Sequence, residues 1–390
     1  MSEIIIFHPA GIGDFLMDLS NLYQLINSKS STKQITYVCN EINKPLVEYS
    51  GINNEINIQY LKWPTASLYD ILPLIRIGQR AKKIFVLSGM NLKKVSYLKY
   101  LWPEKVKYFG TLENYPHECL NKMTPNEKDY QYVQGPTKYT HRIIENFNLF
   151  KSQKLLNNQD FLLKGLNSRD IETSRSSQSS YIVVHTGQSE IGKEKSMNID
   201  YWAKLLTGLK NRIGLEIVII GSTNEKRNVD SILSIVDDKQ VKSLCGKKDL
   251  FETIQLMVDS KMILAIDGGM AHLAASLKKD LVTIFGPTNS HNVSPVDTYG
   301  LLISNQIECS PCYWSDNYYN CPYDRKCLNE INQDIIIESV LDVISGKRLE
   351  SNKINNCYII CYYVVGQRIC SRMLTLSVLW NYIHTHCSIL

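Results

Sequence analysis

Two periodicities share this chain. Short runs of consecutive apolar residues, rich in Ile and Val, recur at Ile4–Phe7, Tyr181–His185, Leu215–Ile220, Met262–Ile266 and Leu281–Phe285. Runs this short, apolar on both faces, read as strands buried within parallel sheets. Gln34–Cys39, Ile56–Tyr60 and Lys83–Leu87 read as further strands. Between them, apolar residues return at helical spacing. Phe15, Leu16, Leu19, Leu22, Tyr23 and Ile26 form one stripe, and Trp202, Leu205, Leu206 and Leu209 form another within a helix over Ile199–Asn211. Asn224–Ile235, Asp249–Ser260 and Asn332–Ile344 read as three more helices. Strand and helix in alternation predict an α/β protein with parallel sheets.

The rhythm divides the chain. Residues 1–166 form a first Rossmann-like domain, 167–180 a polar, Ser-rich linker, and 181–345 a second Rossmann-like domain. Residues 346–390 form an apolar, Cys-rich tail, broken by Arg368 and Arg372 and too interrupted to span a bilayer. The tail reads either as an interfacial segment or as an extension with no defined role. Tyr97–Tyr139, rich in Tyr and Lys, reads mostly as loop and short helix.

The unit Lys261–Asn289 is the clearest element of the second half. A strand runs into Asp267-Gly268-Gly269, a helix follows over Met270–Leu277, and a second strand closes at Gly286-Pro287-Thr288. This βαβ unit sets a helix N-terminus at the carboxyl end of a strand, where α/β folds hold phosphates. A purely structural turn with Asp267 as a helix cap explains the same residues. Gly187, Gly221 and Gly246 follow other strands and place glycine-rich turns on the same edge. Near the start, Pro9–Gly13 forms a loop and Asp14 opens a helix. Asp14 is either a carboxylate facing the helix dipole or a catalytic base at the mouth of an interdomain cleft. Leu16 stands where a dinucleotide fingerprint needs its third glycine, which disfavours a dehydrogenase.

Composition narrows the classes. With 44% hydrophobic and 21% charged residues the chain is globular, and its net charge of +5 is scattered, so nucleic acid is not an expected partner. The sequence enters its first strand directly after Met1-Ser2-Glu3, without an export signal. Eleven cysteines without that signal read as reduced thiols in a cytoplasmic protein. Cys309-x-x-Cys312, followed by Cys321 and Cys327, resembles a metal knuckle, although the second pair is looser than C-x-x-C, and a loop of packed thiols is the alternative.

Several stretches carry a resemblance. G-I-G-D-F-L-M from Gly11, L-C-G-K-K-D-L from Leu244, D-G-G-M-A-H-L-A-A-S-L from Asp267, F-G-P-T from Phe285 and C-S-P-C…C-P-Y…C-L from Cys309 to Leu328 resemble glycosyltransferase family 9. These are the bacterial ADP-heptose:lipopolysaccharide heptosyltransferases, and the resemblance covers residues 3 to about 345.

The resemblance implies a GT-B architecture, in which two Rossmann-like domains face a central cleft. It implies inverting, metal-independent transfer of heptose from ADP-heptose to a lipid-linked lipopolysaccharide core acceptor, at the cytoplasmic face of the inner membrane. No cofactor is implied beyond the donor, and a peripheral membrane contact is. By position, Asp14 matches the base, Lys195 the lysine on the donor phosphate, Thr186 and Gln188 the phosphate loop, and Glu225 a carboxylate of the nucleoside pocket. Asp267, Gly268, Gly269 and His272 match the D-x-G-x-x-H signature around the diphosphate. His272 also reads as a hydrogen-bonded core histidine.

The chain departs from the pattern at four points. Gly268 replaces the usual Thr, Ser196-Met197 replace an aromatic residue, Gly11 replaces a frequent Ser, and a longer loop makes Lys193 a rival to Lys195. A transferase using another nucleotide sugar, and a non-catalytic nucleotide-binding relative, are the alternative readings.

Overall fold

A computed structural model describes residues 4–28, 34–62, 68–87, 107–110, 130–132, 141–156, 166, 179–187, 192–296, 300–305, 307–313, 315–347, 352–354, 357–365 and 368–370. It contains two sheets. The first has six parallel strands: β1 (Ile4–His8), β2 (Ile35–Asn40), β3 (Asn57–Leu61), β4 (Lys83–Val86), β5 (Lys107–Gly110) and β6 (Tyr130–Tyr132). Their spatial order is β3-β2-β1-β4-β5-β6. The second sheet begins with β7 (Tyr181–His185), β8 (Glu216–Ile220), β9 (Val241–Ser243), β10 (Ile263–Ile266), β11 (Leu281–Phe285) and β12 (Gly300–Asn305), in the order β12-β11-β10-β7-β8-β9. Counted along each half, both orders are 3-2-1-4-5-6, the doubly wound arrangement. Each sheet therefore has its own switch point, between β1 and β4 in one and between β7 and β10 in the other.

The apolar runs became central strands because both of their faces are covered. Every residue of β1, β10 and β11 is buried. Helix α1 (Ile12–Ser28) lays Phe15, Leu16, Leu19, Leu22 and Leu25 into the first core, and α2 (Lys44–Ser50) follows β2. Helix α3 (Leu68–Gly78) precedes β4, and α4 (Arg142–Ser152) comes after the last strand of the sheet yet packs back against α1. There Asn21 Nδ2 donates to Ile143 O at 3.0 Å, and Phe150 meets Phe85 edge-on with centroids 5.3 Å apart.

The second core closes around the fully buried Trp202 of α5 (Ile199–Ile213) with α6 (Lys226–Val236), whereas α7 (Leu250–Asp259) and α8 (Gly269–Ser276) bury Ile254, Met257, Ala271 and Leu273 in the cluster that also holds α1. The short helices α9 (Ser290–Val293), α10 (Asp316–Tyr319) and α11 (Lys326–Asn329) precede α12 (Gln333–Ile344).

Three expectations change. Helix α1 starts at Ile12, so the loop before it ends at Gly11. The stretch 97–139 contributes β5 and β6, which are short and Tyr-rich and carry no clear alternation; the rest of it lies outside the described residues. The tail forms strands: β13 (Asn352–Ile354), β14 (Cys357–Val365) and β15 (Arg368–Cys370). β14 pairs antiparallel with β12 from Gly300↔Tyr362 to Asn305↔Cys357 and extends the second sheet. Linker residues 167–178 and tail residues 371–390 lie outside the described residues. Among the described residues, no helix is long and apolar enough to cross a membrane.

Candidate active site

On the first sheet, β1 ends at His8 and the chain turns through Pro9 and Ala10. Ala10 N donates to His8 O at 2.7 Å, Asn40 Nδ2 to Pro9 O at 3.3 Å and Asn43 Nδ2 to Ala10 O at 3.0 Å. The turn is pinned, and α1 begins at once. Asp14 stands in its first turn, where the dipole favours a carboxylate. Its Oδ1 accepts from Arg142 Nη1 of α4, and the pair is partly exposed. Burial opposes ionisation of Asp14, but the Arg142 guanidinium, helped by His8, His272 and Lys195, outweighs it and holds the carboxyl below its ordinary range.

Behind it lies a second rung. Asp18, one helical turn on, accepts from Tyr37 Oη at 2.8 Å and from Asn146 Nδ2 at 3.2 Å, and pairs with His8 Nδ1. Asp14 and Asp18 are thus met by Arg142 and Asn146, residues likewise one turn apart on α4. Burial disfavours a charged His8, yet Asp18 reverses this and raises its pKa. Burial and the same carboxylate push Tyr37 far above its ordinary value.

On the second sheet, β10 delivers Asp267, whose N–H donates to Ile284 O at 2.9 Å, and α8 starts two residues later. Lys195 Nζ donates to Asp267 Oδ2 at 2.8 Å. Burial works against the Lys195 charge, but Asp267 and then Tyr313 raise its pKa. The Tyr313 ring lies under the ammonium, 4.5 Å from Nζ to the centroid. Next to β8, Glu225 Oε2 accepts from Ser222 N at 2.7 Å and Ser222 Oγ at 2.9 Å, and its Oε1 lies 3.2 Å from His185 Nε2. Burial opposes its charge, while His185 and Ser222 bring its pKa below the usual value. Gly187 is required where it stands: φ is +64°, and a Cβ would fall 2.0 Å from Ile266 Cδ1.

The two switch points face each other across a cavity of about 580 Å³. Asp14 and Arg142 line it from the first sheet, and Lys195, Glu225, Asp267, Gly268, Gly269 and His272 from the second. The N-termini of α1 and α8 both open into it, so the cavity offers positive dipole ends beside the Asp14 carboxylate. Burial drives the His272 pKa down to about 4, leaving the ring neutral at ordinary pH.

Most of the candidate residues converge here, with some exceptions. Thr186 is fully buried and outside the cavity lining; its carbonyl accepts from Ser196 Oγ at 3.0 Å and its hydroxyl has no protein partner. Gln188 lies outside the described residues. Lys193 does not line the cavity; its carbonyl accepts from Arg325 Nη1 at 3.1 Å. Gly246 is set back, its N–H bonded to Gly221 O at 2.9 Å.

Cys309, Cys312, Cys321 and Cys327 are all free thiols. Burial, then these neighbours, push Cys312 up to about 11 and Cys327 up to about 12. Among the described residues, no group of three or more His, Cys, Asp or Glu is arranged to hold a metal ion.

Sequence reasoning missed Arg142, the His8–Asp18 pair, His185 and the tyrosines 313, 318 and 319 that line one wall. Arg142 had no local signal, since its partner is 128 positions away.

Comparisons with known proteins follow the same outline. The description "Glycosyltransferase family 9 (heptosyltransferase)" matches residues 119–321, just over half of the chain. Lipooligosaccharide heptosyltransferase 2 of Campylobacter jejuni is 25% identical over 166 residues, 41% of this chain and 50% of that protein. The Haemophilus ducreyi protein of the same name is 21% identical over 316 residues, 77% of this chain and 88% of that protein. The alignment thus spans about half the length of the Campylobacter relatives. Among solved structures, Escherichia coli ADP-heptose lps heptosyltransferase II has a TM-score of 0.62 at 18% identity, over 90% of this chain and 100% of that one. A family 9 glycosyltransferase from Veillonella parvula has a TM-score of 0.65 at 17% identity, over 89% and 98%. These likenesses concern the fold, which is GT-B.

Proposed function

Because the chain belongs to glycosyltransferase family 9, the heptosyltransferase family, we propose that it transfers a heptose from ADP-heptose, with inversion and without a metal, to a lipid-linked lipopolysaccharide core acceptor. The placement of Asp14 opposite the Lys195–Asp267 pair, across one cavity, carries the reading.

Attack on an anomeric carbon needs a base for the incoming hydroxyl and compensation for charge leaving on the diphosphate. Arg142 occupies Asp14 Oδ1 and keeps the carboxylate ionised, while Oδ2 accepts the proton. The acceptor oxygen bonds to the anomeric carbon as the bond from that carbon to the diphosphate breaks. The departing charge falls on Lys195 and on the N–H groups opening α8 at Gly269, so a protein cation and a helix end do the work often given to a divalent metal. Glu225, held by Ser222 and His185, is set to accept from ribose hydroxyls.

The setting that fits this chemistry is the cytoplasmic face of the inner membrane, reached peripherally. A different nucleotide sugar is a second reading, favoured by Gly268: a Cβ there would meet only Ile266 O at 4.0 Å, so the diphosphate region has room.

The test is Asp14→Asn. Transfer should fall by roughly 10²–10⁴-fold, the usual contribution of a general base, with ADP affinity by calorimetry unchanged. Near-normal turnover would remove Asp14 from the role.

A further inference from the structure

One part of the cavity lining is aromatic and was given no role in the chemistry above. It is built by the cysteine loop. Cys312 N and Tyr313 N both donate to Pro287 O, at 2.9 and 3.0 Å, and Ser310 Oγ donates to Gly286 O at 2.7 Å. The loop therefore hangs from the end of β11. Ser315 Oγ then bonds Cys312 O at 2.7 Å, and α10 follows. The result is a row of three rings. Tyr313 meets Tyr318 at 4.8 Å and 78°, and Tyr318 meets Tyr319 at 4.9 Å and 76°.

The row is fixed relative to the lysine. Arg325 Nη1 donates to Ser196 O at 2.7 Å and to Lys193 O at 3.1 Å, tying the end of the cysteine loop to the segment that carries Lys195. Tyr313 lies under Lys195 Nζ, Tyr318 is buried, and Tyr319 is 52% exposed while still lining the cavity. A rigid aromatic row that begins at a cation and ends half-exposed suits a ligand with an anionic group at one end and a ring with a C–H face at the other. Pyranose rings have such faces and stack on aromatic ones, whereas a bare diphosphate gains nothing from them.

We propose that Tyr313, Tyr318 and Tyr319 form the subsite for the glycosyl ring of the nucleotide sugar, with Tyr319 giving its ring face to that sugar. This rests on the reading of the cavity as a nucleotide-sugar site. It assigns the donor's sugar to the cysteine loop and leaves the nucleoside to Glu225.

Paired titrations test it: ADP against ADP-heptose, UDP against UDP-glucose and GDP against GDP-mannose, first with the wild type and then with variants on the pair that binds. Tyr319→Ala should weaken the nucleotide sugar roughly five- to tenfold and leave the nucleoside diphosphate unchanged. Tyr319→Phe should behave as wild type, because the ring face and not the hydroxyl makes the contact. Equal weakening of both ligands, or none of either, would overturn the subsite, as would an unchanged donor affinity with a raised acceptor KM. A wild type that binds neither member of any pair would overturn the nucleotide-sugar reading itself, and the subsite with it.

Discussion

Gly13 and His272 meet at the seam between the two sheets, closely enough that a Cβ on Gly13 would lie 2.8 Å from His272 Cδ2. The same absent side chain would be 3.5 Å from Gly269 Cα. The first turn of α1 and the first turn of α8 therefore approach glycine to glycine, and that approach sets the width of the cavity. Gly13→Ala should force the buried imidazole aside, costing about 1–3 kcal/mol in thermal or denaturant unfolding and lowering turnover. Gly11→Ser, two residues away, is the control. A Cβ there meets only Asp14 Oδ2 at 3.9 Å, so stability should hold.

The pH dependence of turnover should follow Arg142. Burial pushes the Asp14 carboxyl up, and Arg142 is the largest influence pulling it below 3.8. Arg142→Gln leaves burial in control, so the acid limb of the kcat/KM profile should move to higher pH while the plateau at neutral pH changes less. The stability carried by the depressed Asp14 pKa is present above 3.8 and lost as pH falls through the folded value. The variant should therefore lose less stability on acidification than the wild type.

The buried His8–Asp18 pair has the opposite sign. His8 titrates above its ordinary 6.5 in the folded protein, so its contribution is complete below 6.5 and disappears as pH rises through the raised value. His8→Gln leaves Asp18 buried without its cation, an omission that costs about 3–5 kcal/mol. Denaturant titrations at a series of pH values should show that loss at mildly acidic pH and a flatter decline toward alkaline pH.

Two lysines of one loop should separate cleanly. Lys195 lies 2.8 Å from Asp267, in the cavity, and Lys193 does not line it. Lys195→Met should lower kcat by roughly 10²–10³-fold, in line with loss of one group that stabilises developing charge. Lys193→Met should leave kcat and ADP affinity alone. Single-turnover assays beside calorimetry would separate the two effects.

What the sequence disclosed depended on how local each signal was. The unit from Met262 to Thr288 was legible because strand, glycine turn and helix occupy adjacent residues, and each is enforced by burial in place. Asp14 was legible as a helix-start carboxylate. Its partner was not, because Arg142 belongs to a helix that returns to α1 from after the first sheet. The tyrosine row was invisible for a similar reason. Tyr313, Tyr318 and Tyr319 have no helical or strand period, and bonds from their loop to Gly286 and Pro287, distant in sequence, bring them to the cavity. β5 and β6 were hidden by shortness, since a strand of three or four residues offers too few positions for any pattern.

The antiparallel strand β14 gives the second half of the molecule a direction of growth. It attaches beyond β12, three strands out from β10, which at about 4.8 Å per strand is roughly 14 Å from the strand that delivers Asp267 to the cavity. An open parallel edge is a row of unspent hydrogen bonds that invites foreign strands, and here the chain's own later segment has taken the outer side of β12. That border is where the architecture tolerates addition. Fusions, epitopes or surface-immobilisation handles placed beyond β13, which pairs with the outer side of β14, should leave the cavity undisturbed, while the same insert beside β10 or β7 would split it.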